Sequence, residues 1–458
     1  MIEMQNIATG TLVRIHCKTW SGEIIQEGII LPSTSENYIT LKLVNGYNVS
    51  YQDSMIIDID IISKPESVNK KSELNAEFDS KNLPLITIIH TGGTIASKVD
   101  YETGAVVARF EPSELLAANP ELGNIANIKS VKLGNMWSDD IRPQHWNKMI
   151  EATKTAFEEG SQGVVIAHGT DTMHISAAAM TFAWSGNGEK APGRIVFTGS
   201  QRSSDRGSSD APENLLAAVH WAANGPPNTG EMGDTAVIIM HSTSSDGECV
   251  VLPGVNSRKN HSTKRAAFQA INSEPLAHIN VDKNKIKINL SSSYSTAKST
   301  RKICVHPNDY NLKVKIAQLV SGPHLYPDMV THAKEGGYNG IIFSGTGLGH
   351  LPIDNPLGDA NENTLLANEI RSYVSAGGVA IMTTQCMNGS VNMDVYSKGR
   401  DLQEIGMLGH QTTNTLETAT VKLFWLLSNT PDEENQIDWI NTTWSQNLVG
   451  ENLLSLKD

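Results

Sequence analysis

The stretch that decides the fold is Leu85-Ile86-Thr87-Ile88-Ile89-His90-Thr91-Gly92-Gly93-Thr94. Its first half is a nearly continuous apolar run, which is typical of a strand buried on both faces of a parallel sheet. Its second half is a glycine-rich turn, where backbone N–H groups can approach a ligand without obstruction by Cβ atoms. Ligands of open parallel sheets bind beyond the carboxyl ends of the strands, so this turn is a candidate site.

A second strand and turn of the same kind follow at Gly163–Ala167 and His168–Thr172. Between the two strands, apolar residues recur at helical spacing from Pro143 to Glu159, and Gly160 ends that helix. Further apolar runs predict strands at 195–197, 236–240, 341–343 and 379–382. The pattern predicts an α/β protein with parallel sheets in two lobes.

The part of the chain before Leu85 is predicted to be all-β. Short β-branched runs separated by turn residues lie at Thr11–Ile15, Gly28–Leu31, Tyr38–Leu43 and Ile56–Ile61. They indicate a small barrel of SH3-like or Sm-like size. The polar region from about Asn284 to Val314 is a plausible connector between the lobes. The predicted division is a β-barrel at 1–64, a linker at 65–83, an N-terminal α/β domain with the catalytic residues at 84–290, a connector at 291–315 and a C-terminal α/β domain at 316–458.

Charge and composition indicate which kinds of partner the protein binds and in which cellular compartment it is found. The 458 residues carry 36 Lys and Arg against 49 Asp and Glu, for a net charge of -13, whereas nucleic-acid binding needs clustered positive charge. The nearest basic cluster is Arg258–Arg265, so we expect RNA binding to require a partner protein. There is no apolar run of about 20 residues and no basic n-region or apolar h-region at the start, which predicts no membrane span and no secretory signal. Four scattered cysteines and 14 histidines without metal spacing fit a cytoplasmic protein without a metal site.

Each candidate residue also has an ordinary structural explanation. A Gly-Gly-Thr turn is most often a tight turn whose threonine caps a helix. Asp171 could equally be an N-cap, Lys259 could belong to a solvated basic stretch, and His168 suits an orienting or packing role. Ser295–Lys298 fits S-x-x-K but lies in a polar connector without the companion motifs. Only the conjunction of the signals is specific.

That conjunction resembles the bacterial-type L-asparaginase/glutaminase family. Thr91–Ala96 and His168–Thr172 look like the two signature segments of the family, in the same order. Ser257–His261 resembles its third segment, which carries the catalytic lysine, and Phe197–Arg202 resembles a further active-site segment. The resemblance runs from about Leu83 to about Asn429 and implies an asparaginase-like two-lobe α/β fold.

The resemblance also implies roles for single residues. Thr94 matches the nucleophile, Tyr101 the tyrosine of a mobile loop beside it, and Ser138 a substrate-binding serine. Asp139 loosely matches a polar residue near the substrate amino group. The expected catalytic set is Thr94, Thr170, Asp171 and Lys259, and the expected substrate-binding set is Tyr101, Ser138, Asp139, Gly93, Gly169 and Ser200.

The implied mechanism is a two-step acyl transfer through an ester on Thr94. A threonine hydroxyl needs a base, and either Tyr101 or a water remains open for that role. Lys259 can act as a base only when neutral, which burial favours and Asp171 opposes. Backbone N–H groups at the turns of Thr94 and Thr170 are candidate donors to the oxyanion.

A narrower resemblance concerns the GatD subunits of the archaeal glutamyl-tRNA(Gln) amidotransferases. It is carried by Lys42–Asn48, Ser200–Asp205, Arg258–His261 and Val391–Ser397. It implies a glutaminase that takes ammonia from free glutamine, without a cofactor of its own. A GatE-type partner would bind Glu-tRNA(Gln), use ATP and Mg, and receive the ammonia, around a homodimer core in a heterotetramer.

Two alternatives remain open at this point. One is a free-standing L-asparaginase, and the other is a non-enzymatic scaffold that positions RNA through the β-barrel. Met407–Thr412 and His350 depart from the sequence patterns expected of these relatives. This region therefore does not indicate whether glutamine or asparagine is the preferred substrate.

Overall fold

The computed structural model describes residues 7–19, 22–31, 37–44, 48–64, 82–93, 95, 97–99, 106–108, 115–116, 119–202, 208–282 and 285–453, with the backbone alone at 48, 97–99 and 106–108. Thr94, Tyr101 and most of the predicted linker at 65–83 lie outside the described residues.

The front of the chain folds into an antiparallel sheet, which confirms the predicted N-terminal β domain. Its strands are β1 (Leu12–Thr19), β2 (Gly22–Leu31), β3 (Tyr38–Leu43), β4 (Asn48–Gln52) and β5 (Ile56–Ser63), in the spatial order β4-β3-β2-β1-β5. Alternation along β1 buries Val13, Ile15 and Cys17 on one face, against Leu41 of β3. Strand β4 was not among the predicted strands.

The second sheet begins with the strand quoted at the outset. Its strands and two small hairpins are β6 (Leu85–His90), β7 (Ser97–Val99), β8 (Val106–Ala108), β9 (Asn127–Lys132), β10 (Gly163–Ala167), β11 (Arg194–Thr198), β12 (Ala236–His241), β13 (Glu248–Leu252), β14 (Ser257–Lys259), β15 (Phe268–Ala270), β16 (Ala277–Asp282) and β17 (Lys285–Leu290). The order is β17-β16-β13-β12-β11-β10-β6-β9, while β7 pairs with β8 and β14 with β15.

The parallel part of this sheet contains a topological switch point. Strands β9, β6, β10, β11 and β12 are mutually parallel, whereas β13, β16 and β17 extend the sheet antiparallel. The chain goes from β6 to β9 on one side and then crosses to β10 on the other. Ligand crevices form where the strand order reverses in this way, at the carboxyl ends of β6 and β10.

Helices cover both faces of the second sheet. They are α1 (Pro143–Glu158), α2 (Met173–Ser185) and α3 (Ala211–Asn224). The period of two along β6 sends Ile86 and Ile88 into the core shared with α3, and Ile89 into the core shared with α1 and α2. This double burial explains the apolar run of β6.

The second lobe contains a smaller parallel sheet. Its elements are α4 (Ser292–Ser295), β18 (Ile316–Val320), α5 (Pro327–Glu335), β19 (Gly340–Gly345), α6 (Asn361–Ser375), β20 (Val379–Thr384), α7 (Ser397–Ile405), α8 (Leu416–Ser428) and α9 (Gln436–Thr443), with the strands in the order β18-β19-β20. Helix α8 packs on α2, with the rings of Phe182 and Trp425 6.2 Å apart. Tyr310, in the predicted connector, is buried and donates to the carbonyl of Ala179 at 2.8 Å. The lobes therefore share one apolar core.

Across the described residues, we find no helix with the length and apolar character needed to cross a bilayer.

Candidate active site

The turns after β6 and β10 pack backbone against backbone. Gly92 and Gly93 have φ values of +136° and +81°, in the region that favours glycine. A Cβ atom at Gly93 would lie 3.0 Å from the backbone nitrogen of Gly169, and one at Gly169 would lie 2.9 Å from Cβ of Ser138. The close approach of these three segments therefore requires glycine at both positions.

Lys259 reaches this crevice from the end of β14. Its Nζ donates to Oγ1 of Thr170 at 2.9 Å and to Oδ1 of Asp171 at 2.8 Å. The lysine side chain is only 9% exposed, whereas that of Asp171 is 67% exposed. The structure thus brings together three of the four residues predicted to be catalytic, although they come from two distant parts of the chain.

This arrangement gives a threonine hydroxyl a basic side chain as its immediate neighbour. Lys259 is placed to exchange a proton with Thr170, because donor and acceptor lie within hydrogen-bonding reach. Such a proton-transfer pair is suited to acyl-transfer chemistry.

A buried chain of hydrogen bonds, here called the relay, runs from Trp146 through Ser176 to His168 and fixes the turn that carries Thr170. Nε1 of Trp146 donates to Oγ of Ser176 at 3.2 Å, and Oγ of Ser176 is 2.9 Å from Nε2 of His168. Nδ1 of His168 is 2.6 Å from the carbonyl oxygen of Gly169, which can only accept, so Nδ1 carries the proton and Nε2 accepts from the serine. Burial lowers the pKa of His168 to about 4, so the ring is neutral near pH 7.

The relay was only partly foreseen. The sequence predicts an orienting or packing role for His168, because this residue flanks the second turn. Its partners, Ser176 and Trp146, lie on separate helices and no sequence motif connects them. A second neutral histidine, His174, lies near the cations of Arg258 and Lys259, and burial lowers its pKa to about 4 as well.

Ser138 and Asp139 occupy a short 3-10 turn beside Gly169. Ser138 is buried, and its carbonyl oxygen accepts from Oγ1 of Thr172 at 2.6 Å, which ties the turn to the segment after β10. Asp139 is exposed. The turn that carries both residues is therefore held beside Gly169 through Ser138, and their predicted contacts with substrate remain predictions.

Ser200 lies in the turn after β11, where Asp210 holds it. Its Oγ donates to Oδ1 of Asp210 at 2.9 Å, and the backbone N–H groups of Gln201 and Arg202 donate to the same carboxylate. Asp210 is fully buried and was not predicted as part of the site. Its signal in the sequence is weak, because an aspartate before a helix usually acts as an N-cap.

The turn after β11 also touches the turn that carries Thr170. A Cβ atom at Gly199 would lie 2.6 Å from the carbonyl oxygen of His168 and 2.9 Å from Cγ2 of Thr170. The hydroxyl of Ser200 is bonded within its own loop, so its predicted role in substrate binding stays a prediction.

Family models match both lobes of the chain. The model described as "Asparaginase, N-terminal" matches residues 85–294, and that described as "Glutaminase/Asparaginase C-terminal domain" matches residues 313–439. These matches confirm the predicted asparaginase-like α/β fold.

Curated relatives extend the similarity over the front domain. They are GatD proteins, the D subunits of glutamyl-tRNA(Gln) amidotransferases. The chain is 39% identical to the GatD protein of Sulfolobus acidocaldarius, covering 98% of this chain and 93% of that protein. It is 38% identical to the GatD protein of Pyrococcus furiosus, covering 94% of this chain and 92% of that protein.

Solved structures with the same fold are asparaginases. The L-asparaginase of Thermococcus kodakarensis aligns with a TM-score of 0.62 at 25% identity, over 81% of this chain and 99% of that one. L-asparaginase I of Vibrio cholerae aligns with a TM-score of 0.63 at 25% identity, over 81% of this chain and all of that one.

Proposed function

Because this chain belongs to the GatD family of glutamyl-tRNA(Gln) amidotransferases and contains both asparaginase-family domains, we propose that it hydrolyses the side-chain amide of free glutamine. The ammonia released would serve the conversion of Glu-tRNA(Gln) to Gln-tRNA(Gln). The observation that carries the proposal is the contact of Lys259 with Thr170 and Asp171 at the switch point of the sheet.

In the proposed first step, Oγ of Thr94 attacks the carboxamide carbon of glutamine and gives up its proton to a base. The base passes this proton to the amide nitrogen, the C–N bond breaks, ammonia leaves, and an ester of Thr94 remains. Gly93 directly precedes Thr94 in the chain and packs against Gly169, which supports a crevice shared by both threonine turns. Backbone N–H groups of these turns would stabilise the oxyanion.

In the second step, water attacks the ester, which releases glutamate and regenerates the free hydroxyl of Thr94. Thr170 and Lys259 would transfer the protons, with Asp171 orienting the lysine amine. Ser138 and Asp139 would bind the substrate at the neighbouring edge, together with Tyr101.

A GatE-type partner would carry out the remaining chemistry. It would bind Glu-tRNA(Gln), activate the glutamate with ATP and Mg, and receive the ammonia, while this chain needs no cofactor. The net charge of -13 supports this division, because a partner then supplies the cations that phosphates require. We propose a cytoplasmic assembly built on a homodimer of this chain.

The test is release of ammonia from glutamine and from asparagine, by the chain alone and with its copurified partner, ATP and Glu-tRNA(Gln). Glutamine should be preferred, and the partner and charged tRNA should stimulate turnover. Thr94→Ala, Thr170→Val and Lys259→Met should each lower kcat on the order of 10³ or more.

Matched controls separate loss of chemistry from loss of fold. Lys264→Met removes an exposed lysine of the same segment, and Thr181→Val removes a hydroxyl that donates to the carbonyl of Ala177 within α2. Both controls should keep near-normal turnover. Near-normal turnover by Thr94→Ala would refute the assignment of Thr94 as the nucleophile. Full activity on asparagine without any partner would instead favour a free-standing asparaginase.

A further inference from the structure

A second polar cluster lies beside the turn after β11, outside the proposed catalytic set. It is formed by Glu213 in the first turn of α3, His241 at the end of β12, and Asp246 in the loop between β12 and β13. One ligand atom of each residue lies within 4.8 Å of the others. The side chain of His241 is fully buried, because the alternation of β12 points it toward α3.

The protonation of His241 follows from its neighbour Asn214. Nδ2 of Asn214 donates to the carbonyl of Gly199 at 2.9 Å and to Oδ2 of Asp210 at 3.0 Å, and both of those atoms are acceptors. The amide orientation is thereby fixed, and Oδ1 of Asn214 faces Nδ1 of His241 at 2.7 Å. Nδ1 must therefore carry a proton, which leaves Nε2 as the atom that points into the cluster.

Among the residues that the structure describes, Nε2 of His241 has no hydrogen-bond partner, although Oε2 of Glu213 is 3.1 Å away. The ring N–H direction does not meet the carboxylate in hydrogen-bond geometry, so a proton on Nε2 would not bridge the two atoms. If the ring is neutral, a lone pair on nitrogen faces a carboxylate oxygen, which is repulsive. Oε2 of Glu213 already accepts from the backbone N–H of Gly247 at 2.9 Å, and a cation beside Nε2 and Oε2 would remove the remaining repulsion.

We propose that His241, Glu213 and Asp246 bind a divalent first-row metal ion through one imidazole nitrogen and two carboxylates. This donor set suits Zn²⁺, with water completing the tetrahedron. The bond from Nδ1 to Asn214 is the second contact that a ligating histidine usually makes, and it orients the ring. Arg265 binds Oδ1 of Asp246, which leaves the second oxygen of that carboxylate for the ion.

The metal site would stabilise the turn after β11, which packs against the proposed catalytic residue Thr170. Asn214 and Asp210 connect the cluster to Gly199 and Ser200, in the turn that packs against Thr170. A metal ion holding α3, β12 and the following loop together would keep this turn in place. The proposed role is structural, so its test does not depend on the reaction that the crevice performs.

The experiment uses the full-length chain, stripped with EDTA and titrated with Zn²⁺ by calorimetry, with Co²⁺ as a spectroscopic probe. We expect binding to saturate at one ion per chain, a Co²⁺ visible spectrum of tetrahedral type, and a rise in Tm on adding Zn²⁺. Asp246→Asn and Glu213→Gln should weaken binding at least about tenfold. Asp246 is exposed, so its variant tests the site even if changes at buried His241 prevent folding.

Two control variants test whether the metal ion binds outside the proposed site. Glu248→Gln changes a neighbouring carboxylate outside the cluster, which bonds to Ser242 and His278, and it should keep the ion. Cys386→Ser removes the exposed free thiol, and it should also keep the ion. The proposal is wrong if the wild-type chain shows no saturable binding. It is equally wrong if Asp246→Asn and Glu213→Gln bind as tightly as wild type, or if Cys386→Ser abolishes binding.

Discussion

The close packing of the two threonine turns can be tested by adding a single methyl group. Gly93→Ala places a Cβ atom 3.0 to 3.2 Å from the backbone of Gly169 and the carbonyl carbon of His168. All of these neighbours are backbone atoms, so no flexible side chain can move aside. Relief requires the turns after β6 and β10 to separate by a few tenths of an ångström.

The expected magnitude has two parts. The φ of +81° at Gly93 imposes about 1–2 kcal/mol on any residue with a Cβ atom. Overpacking against backbone adds about 1–3 kcal/mol. The free energy of unfolding should therefore fall by about 2–5 kcal/mol. Because a misplacement of about 1 Å can reduce a rate 10²-fold, the smaller shift here should lower kcat/KM by about 10- to 100-fold.

Gly188→Ala is the matched control. Gly188 has a φ of +85°, nearly the same as Gly93, but an added Cβ atom would meet no atom of the described residues within 4 Å. The control should lose only the conformational part, about 1–2 kcal/mol, and keep its activity. Equilibrium denaturation measures the stability of both variants, and ammonia release from glutamine measures their activity.

The outcome that would overturn this reasoning is equal behaviour of the two variants. If Gly93→Ala loses no more stability than Gly188→Ala and releases ammonia at the wild-type rate, the contact between the turns has no part in the site. A loss of stability with full activity would show that the contact supports the fold alone.

Two further predictions concern stability. Burial lowers the pKa of His168 from 6.5 to about 4, so the unfolded chain binds this proton first as the pH falls. The free energy of unfolding should be fully retained above pH 6.5 and decline toward pH 4, by up to about 3 kcal/mol for this ring, and denaturant titrations should show a shallower decline in His168→Gln. Lys422 and Glu451 form a fully buried ion pair, so Lys422→Met should cost about 3–5 kcal/mol in the same assay. Lys398→Met, which removes the exposed pair with Asp354, should cost under about 1 kcal/mol, and similar losses from both variants would contradict the prediction.

Local patterns predicted much of the fold because burial on both faces leaves a clear trace. Strands β6, β10 and β12 are continuous apolar runs, and α1 begins and ends within a residue of the predicted bounds. Strands with exposed faces were harder to predict. In β17, lysine and asparagine alternate with apolar residues at the sheet edge, so its polar composition resembles that of a connector.

The candidate site was predictable where chemistry is local in sequence. The two glycine turns lie directly after strands, so the parallel sheet brings them to one edge whatever the length of chain between them. Contacts made through tertiary structure left no such trace. The relay from Trp146 through Ser176 to His168 and the anchoring of Ser200 by Asp210 depend on packing between separate elements.

The position of Lys259 beside Thr170 could not be predicted from spacing in the sequence. The parallel strands end at the crevice by construction, but β14 lies in a hairpin that follows the antiparallel strand β13. Nothing in the alternation of that hairpin indicates that its last residue turns back to Thr170. Strand β13 starts beside the carboxyl end of β12 and runs away from the crevice, and Gly254 after it packs against Ala236 at the start of β12. The chain then turns back past α2, so that β14 brings Lys259 to Thr170. The returning segment and the hairpin of β14 are therefore part of the proposed active site, since they supply the one cation that contacts both Thr170 and Asp171 in the described residues.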